Sequence, residues 1–224
     1  QMVNLWTDYP AAKEIAFHAR LAQSARLLSD SRHVRIYHDH AMIKPPGQKS
    51  KETNWHQDAP YWPMEPVGAL SAWIAVDDAT VENGCLYVVP GSNRSGYLYP
   101  QHTHENPDEF DFAPESYGFD ESVEIPVEVK AGALVFFNGY LLHRSYKNRG
   151  DTYRRVLVNH YCNAWSLLPW SIEEGERPAN ADRRNVLPVA GTDPYAWKGY
   201  QTSTKSVGLR HCKAIDEVRA SRGE

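Results

Sequence analysis

The hydrophobic and polar positions of this chain predict one helix followed by a series of short strands. Residues 10–29 are strong helix formers without internal Gly or Pro, and Asp8 can cap them, so we expect a helical flank at about 8–30. Stretches rich in β-branched and aromatic residues predict strands at 34–44, 68–78, 85–90, 123–129, 133–138 and 153–162. The body of the chain is therefore predicted to be mainly β.

Turn-forming sequences separate these strands. They are Pro-Pro-Gly at 45–47, Asn-Gly at 83–84, Pro-Gly at 90–91, Ala-Gly at 131–132 and Arg-Gly at 149–150. Short strands with such punctuation are typical of a barrel or a sandwich.

Two segments lack the strand pattern. Residues at about 94–122 form a long, polar stretch rich in Tyr, His and acids, which predicts a lid-like loop over a site. The tail from Ser166 onward has scattered Pro and Gly and predicts short helices and coil. A chain of 224 residues is below the size at which cores usually divide, so we expect a single domain, 1–224.

Composition and charge exclude several classes of function. The chain is 42% hydrophobic and 23% charged, the balance of a globular protein. Its net charge of -4 gives no basic field to hold nucleic acid. No apolar run approaches the ~20 residues of a membrane span, the start lacks a signal-peptide pattern, and the three cysteines are far apart. We therefore expect a cytoplasmic protein without nucleic-acid or membrane partners; its oligomeric state is not indicated.

A candidate metal site begins in the sequence NWHQDAPYW. His56 and Asp58 are two residues apart, so an extended strand would point both to one side. His143, just after the predicted strand 133–138, can supply a third ligand. Two imidazoles and one carboxylate on one face of Fe(II) leave open positions, the arrangement of non-haem iron oxygenases. Two positions can take 2-oxoglutarate and the last can take O₂, so these three residues are the candidate catalytic centre.

Other histidine pairs leave an alternative open. His38 with His40, and His102 with His104, have the same two-residue spacing, and the first pair lies inside a predicted strand. Metal held by His38 and His40 would indicate a cupin-like metal-binding protein without redox activity, either an isomerase or a small-molecule binding module.

A keto diacid also needs a fixed cation for its far carboxylate, and a guanidinium offers two parallel donors. Arg154 and Arg155 open the strand 153–162 and point to opposite faces. The side shared with Val156 and Val158 is the more uniformly apolar, which favours Arg154. Ser145, two residues after His143, could donate its hydroxyl to the same molecule.

Four motifs together resemble one known family. They are IKPPG at 43–47, WHQDAPYW at 55–62, SAWIAVDDATVENGCLYVVPGSN at 71–93, and HRSYKN at 143–148 followed by YRR at 153–155. In this order and spacing the chain resembles the phytanoyl-CoA dioxygenase-like (PhyH) branch of the iron(II)/2-oxoglutarate-dependent oxygenases.

The resemblance implies a fold and a site. The fold would be a double-stranded β-helix, a cupin-like jelly roll with flanking α-helices. The family pattern places iron on His56, Asp58 and His143 and selects Arg154 over Arg155. It further suggests Lys44, Gln57, Trp73 and Ser145 around the co-substrate.

The resemblance also implies a reaction, a dioxygenase that hydroxylates a C–H bond of a small-molecule substrate and releases succinate and CO₂. Related halogenases replace the metal carboxylate with a small residue to admit chloride, so Asp58 favours hydroxylation. Residues 103–121 hold seven acids and no Lys or Arg, which disfavours a polyanionic acyl-CoA.

Overall fold

A computed structural model gives the structure of the chain and describes residues 2–62, 64, 69–102, 115–163, 166 and 187–190. Predictions for the centre of the 94–122 loop and for most of the tail lie outside these residues.

Three short helices form the start of the chain: α1 (Leu5–Asp8), α2 (Pro10–Ala16) and α3 (Ala19–Leu28). The prediction of one continuous helix over 10–29 is wrong, because the chain leaves helical geometry at Phe17 and is extended at His18, with ψ 122°. No Gly or Pro marks this break. The Phe17 ring lies edge-on to Trp6 at 5.5 Å between centroids, so a tertiary contact accompanies a break that local propensity did not indicate.

Twelve strands lie within the described residues. They are β1 (Met2–Val3), β2 (Val34–Lys44), β3 (Thr53–His56), β4 (Ala69–Ala75), β5 (Leu86–Val88), β6 (Gln101–His102), β7 (Glu115–Ser116), β8 (Ile125–Val127), β9 (Leu134–Asn138), β10 (His143–Ser145), β11 (Arg154–Asn163) and β12 (Leu187–Ala190). All six predicted strands are present, with ends shifted by a few residues. The prediction of helix and coil for the tail is wrong at β12, which pairs with β2.

The strands form two principal sheets. One has the order β1-β2-β11-β4-β9, with β12 also on β2, and the other has the order β3-β10-β5-β8. The small strands β6 and β7 pair at the two sides of the 103–114 segment, so the described ends of the predicted lid-like loop are tied together. The body of the chain is mainly β, as predicted.

Two compact units divide the chain. The first comprises Gln1–Ala41, Pro63–Ala72 and Val158–Glu224, and the second comprises Met42–Trp62 and Trp73–Leu157. The second unit contains every residue predicted to hold iron or the co-substrate. Whether the chain is one domain stays a prediction.

The helices belong to the first unit, where α3 buries its Leu21, Ala22 and Ala25 side. Among the helices in the described part of the chain, none has the length and apolar character needed to cross a bilayer.

Candidate metal centre

The three predicted metal ligands meet in the second unit. His56 Nε2 lies 3.5 Å from Asp58 Oδ1, and His143 Nε2 lies 3.7 Å from the same oxygen. The donor atoms of all three residues are within 4.8 Å of one another. Two donors bound to one cation at about 2.1 Å are about 3.0 to 3.5 Å apart, so small side-chain adjustments would let all three hold one ion. The donor set fits Fe(II), and three protein ligands would leave further positions of its coordination sphere to other ligands.

Strand pairing brings the two histidines together. His143 on β10 is directly opposite His56 on β3, and the ring centroids are 4.1 Å apart. The register then shifts: Ser145 pairs with Thr53, so three steps along β3 match two along β10. Such a bulge turns side chains locally and is frequent beside functional sites.

Asp58 reaches the site from a turn. β3 ends at His56, and Asp58 has αR geometry, φ -75° and ψ -31°, where it precedes the 3₁₀ turn Ala59–Tyr61. The expectation that one extended strand carries both side chains is therefore wrong in its geometry. Pro60 lies inside this turn and lacks the N–H that a strand ladder would need, so the chain does not resume the strand there.

Both imidazoles are oriented in the same way. His56 Nδ1 lies 2.8 Å from the Asn54 carbonyl oxygen, and His143 Nδ1 lies 2.9 Å from that of Leu141. A ring N–H at Nδ1 donates to each carbonyl, which leaves the Nε2 lone pair for a metal. Burial alone would lower the His56 pKa, but the hydrogen bond and charge of Asp58 and the backbone contacts raise it overall, so protons compete with a metal for this nitrogen.

A buried serine supports the approach to His143. Ser92 Oγ donates to the Val89 carbonyl at 2.8 Å and accepts from the Leu142 N–H at 2.9 Å, immediately before the ligand. Sequence reasoning did not select Ser92, although it lies in the quoted PGSN segment. Its partner is 50 residues away, and no local pattern signals that contact.

Arg154 is a buried cation with unused donors. The residue is 1% exposed, and among the residues that the structure describes its Nε and Nη1 have no hydrogen-bond partner. Burial lowers its pKa to about 10, and its guanidinium lies 5.8 Å from the centroid of the Trp73 ring. Its neighbour Arg155 is exposed and makes a two-point ion pair with Asp77. The facial argument thus placed the correct arginine inside, and the buried donors suit a bidentate carboxylate.

Lys44 adds a second positive charge. Its Nζ donates to the Lys51 carbonyl at 2.5 Å and lies 3.4 Å from that of Ser145. Burial, followed by the charge of Arg154, lowers the Lys44 pKa to about 7. The positive charges of Lys44 and Arg154 repel each other, and a bound dianion would offset this repulsion.

Asn148 links the segments that carry these cations. Its Nδ2 donates to the Lys44 carbonyl at 3.0 Å and to the Thr152 carbonyl at 2.7 Å, and its backbone N–H donates to Ser50 Oγ. It is 1% exposed. Sequence reasoning did not select Asn148, although it ends the quoted HRSYKN motif, because its contact with the Lys44 carbonyl spans 104 residues.

Gln57 and Ser145 are both buried near these ligands. The Gln57 amide donates to the carbonyls of Tyr97 and Tyr140 and accepts from the Tyr99 N–H, at 2.6 to 2.9 Å. Ser145 is two residues after His143 on β10, so the two side chains share a face. The predicted contacts of Gln57, Ser145, Trp73, Lys44 and Arg154 with a co-substrate stay predictions.

A family comparison bears on these residues. The phytanoyl-CoA dioxygenase (PhyH) family model matches residues 4–156, which include all the predicted site residues. This chain belongs to the phytanoyl-CoA dioxygenase family. The predicted family is thereby confirmed.

A curated relative in this family is phytanoyl-CoA dioxygenase 1 of Oryza sativa subsp. japonica. It is 32% identical over 167 residues, covering 72% of this chain and 57% of the relative. The chain spans about half the length of the curated relatives that it matches.

Solved structures give the fold. The epimerase SnoN, in complex with Fe³⁺, alpha ketoglutarate and nogalamycin RO, superposes with a TM-score of 0.62 at 24% identity, covering 83% of this chain and 77% of SnoN. EvdO2 from Micromonospora carbonacea var. aurantiaca, complexed with 2-oxoglutarate, gives 0.57 at 27% identity, covering 72% and 63%. The predicted jelly roll is confirmed. At the level of the phytanoyl-CoA dioxygenase family, the predicted enzyme class and cofactors are supported too.

Proposed function

We propose that this chain carries the active site of an iron(II)- and 2-oxoglutarate-dependent dioxygenase that hydroxylates a C–H bond of a small-molecule substrate. The observation that carries the proposal is the combination of two features in one unit. One is a His-Asp-His donor set able to hold one cation, and the other is a buried arginine whose Nε and Nη1 have no partner among the described residues.

The residues divide the work between metal and co-substrate. His56, Asp58 and His143 would hold Fe(II) through two imidazole nitrogens and a carboxylate oxygen and leave positions open. Arg154 would bind the far carboxylate of 2-oxoglutarate in a bidentate fashion, and the Lys44 ammonium would add to the positive field. Trp73, beside the guanidinium, would keep it in place and exclude water.

Fe(II), when bound, supplies the redox chemistry that couples decarboxylation of 2-oxoglutarate by O₂ to oxidation of the substrate. The atoms balance: one oxygen of O₂ enters the substrate as a hydroxyl group and the other enters succinate, with release of CO₂. The chain positions the reactants and orients the two imidazoles through Asn54 and Leu141.

The acidic 103–121 stretch argues for a small metabolite over an acyl-CoA, since a polyanionic nucleotide would be repelled there. A screen of acids, amines, lipids and acyl-CoAs for substrate-dependent succinate release, over the background of uncoupled turnover, would identify the class. The product formed under ¹⁸O₂ then distinguishes reactions. One labelled oxygen in the product supports hydroxylation, whereas an unlabelled epimer would point to an epimerase like SnoN.

A spectroscopic experiment tests the proposal without the substrate. Anaerobic addition of Fe(II) and then 2-oxoglutarate should give a weak visible charge-transfer band. Asp58→Ala and Arg154→Ala should each remove or weaken it, whereas Arg155→Ala, at the exposed neighbour, should leave it unchanged. The absence of any band from folded, iron-loaded protein would refute the proposal.

A further inference from the structure

A second histidine cluster lies in the first unit and shares no residue with the proposed iron site. It consists of His38 and His40 on β2 and His160 on β11. The candidate donor nitrogens of the three rings all lie within 4.8 Å of one another. The ring centroids are 4.5 to 5.6 Å apart, so the three imidazoles lie in mutual contact.

The sheet explains why the three rings converge. His38 and His40 are two residues apart on β2 and therefore share a face, and β11, which carries His160, is the next strand. β4 lies on the other side of β11 and carries Ser71, whose Oγ is 2.9 Å from His160 Nδ1. Three neighbouring strands thus contribute to one constellation.

One pair of ring nitrogens already has the separation expected of two ligands. His160 Nε2 lies 3.2 Å from His40 Nδ1. Two nitrogens bound tetrahedrally to Zn²⁺ at about 2.0 to 2.1 Å are about 3.3 Å apart. If Ser71 Oγ accepts the proton of His160 Nδ1, the Nε2 lone pair accepts a hydrogen bond from His40 Nδ1 in the metal-free chain. A cation would replace this hydrogen bond once His40 carries its proton on Nε2 instead, and the Ser71 contact would keep the His160 ring oriented.

Burial and charge indicate the kind of cation. His160 is 2% exposed and His40 is 8% exposed, whereas His38 is half-buried and provides the more open side. Asp39, between the two β2 histidines, points to the other face, where its Oδ2 accepts the Trp6 N–H. Three imidazoles favour Zn²⁺ and similar d-block ions over Mg²⁺ or Ca²⁺, which prefer oxygen.

We propose that His38, His40 and His160 form a second metal site that binds a divalent d-block cation such as Zn²⁺, with Ser71 orienting His160. Three nitrogens leave a fourth tetrahedral position for water or an outside ligand. A bound ion would join β2 to β11 and would stabilise the fold by an amount that rises with the ratio of free ion concentration to Kd. The rival pair singled out in the sequence, His38 with His40, therefore becomes an additional site. The other pair, His102 with His104, has side chains outside the described residues.

Co²⁺ is a suitable probe because it binds both kinds of site and its visible spectrum distinguishes tetrahedral from octahedral coordination. The wild-type chain should bind two Co²⁺, and Asp58→Ala should bind one with a tetrahedral spectrum. His40→Gln and His160→Gln should each bind one and should keep the charge-transfer band with Fe(II) and 2-oxoglutarate. Ser71→Ala should weaken the second site by roughly ten- to a hundredfold.

Controls keep the test decisive. His18→Gln removes an exposed histidine of the same unit and should still bind two Co²⁺. If a buried variant fails to fold by circular dichroism, His38→Gln replaces it, because this position is only half-buried. No bound Co²⁺ in folded Asp58→Ala, or two in folded His38→Gln or His160→Gln, would overturn the second site. Because the Asp58→Ala chain reports on this site alone, failure of the iron proposal remains a separate result.

Discussion

His56 and His143 occupy directly opposite positions on two antiparallel strands, and each ring directs Nδ1 to the backbone carbonyl two residues before it. The same local device therefore fixes both imidazoles with Nε2 toward Asp58. Because the carbonyls belong to the ligands' own segments, this orientation does not require a bound metal.

The two adjacent arginines should separate co-substrate binding from surface charge. Arg154→Gln removes a buried guanidinium with unused donors, and we expect the KM for 2-oxoglutarate to rise by at least about thirtyfold, equivalent to about 2 kcal/mol. Arg155→Gln is the matched control and should change KM less than about twofold, since its partner is Asp77 at the surface. Equal effects in steady-state kinetics would show that Arg154 is not the anchor.

Lys44 should make co-substrate binding depend on pH. Its pKa is lowered to about 7, and a bound dianion would raise it, so binding at pH 8 should take up a proton. The charged lysine is the binding form, so affinity should fall as pH rises above about 7. Calorimetry in two buffers of different protonation enthalpy measures this uptake. In Lys44→Met both the uptake and this pH dependence should vanish; their persistence would assign them to another group.

Substitution of Gln57 tests whether this residue supports the fold around the site or contacts 2-oxoglutarate directly. Gln57→Leu would leave two carbonyls and one N–H of the 97–99 and 140 segments unpaired, which should lower the free energy of unfolding by about 3 kcal/mol. Denaturant unfolding measures this loss. A variant of unchanged stability with a raised KM for 2-oxoglutarate would instead favour the predicted direct contact.

Gly139 should be sensitive to a single methyl group. An added Cβ would overlap the Trp62 ring and come 3.2 Å from the Ala59 nitrogen, in the turn that follows Asp58. We expect Gly139→Ala to cost about 1 to 3 kcal/mol and to weaken iron binding by displacing the Asp58 turn. Gly91→Ala is the control: its Cβ meets nothing within 4 Å, although φ is +81°, so it should cost about 1 kcal/mol and leave iron affinity unchanged. Iron titration and thermal unfolding of both variants measure these effects, and equal iron affinities in the two variants would contradict the prediction.

Sequence patterns predicted much of the strand framework because alternation and turn residues are local signals. They failed at the 10–29 helix, which breaks at Phe17 without a Gly or Pro at that point in the sequence. The ring of Phe17 instead contacts Trp6. They also failed at Asp58, because residue spacing predicts a shared strand face but does not reveal that β3 ends at His56. Ser92 and Asn148 were missed because the contacts that link them to the site, with the Leu142 N–H and the Lys44 carbonyl, are remote in sequence.

The sequence by itself determined the family, the mainly β architecture and the identity of the candidate ligands, since these depend on residue type, order and short-range periodicity. Tertiary structure alone decided that His143 pairs with His56 across a bulge, that Nε and Nη1 of Arg154 have no partner among the described residues, and that His160 joins His38 and His40. These features depend on strand register and on which side chain a sheet turns inward. Both are set by contacts between residues far apart in the chain, so no local pattern encodes them.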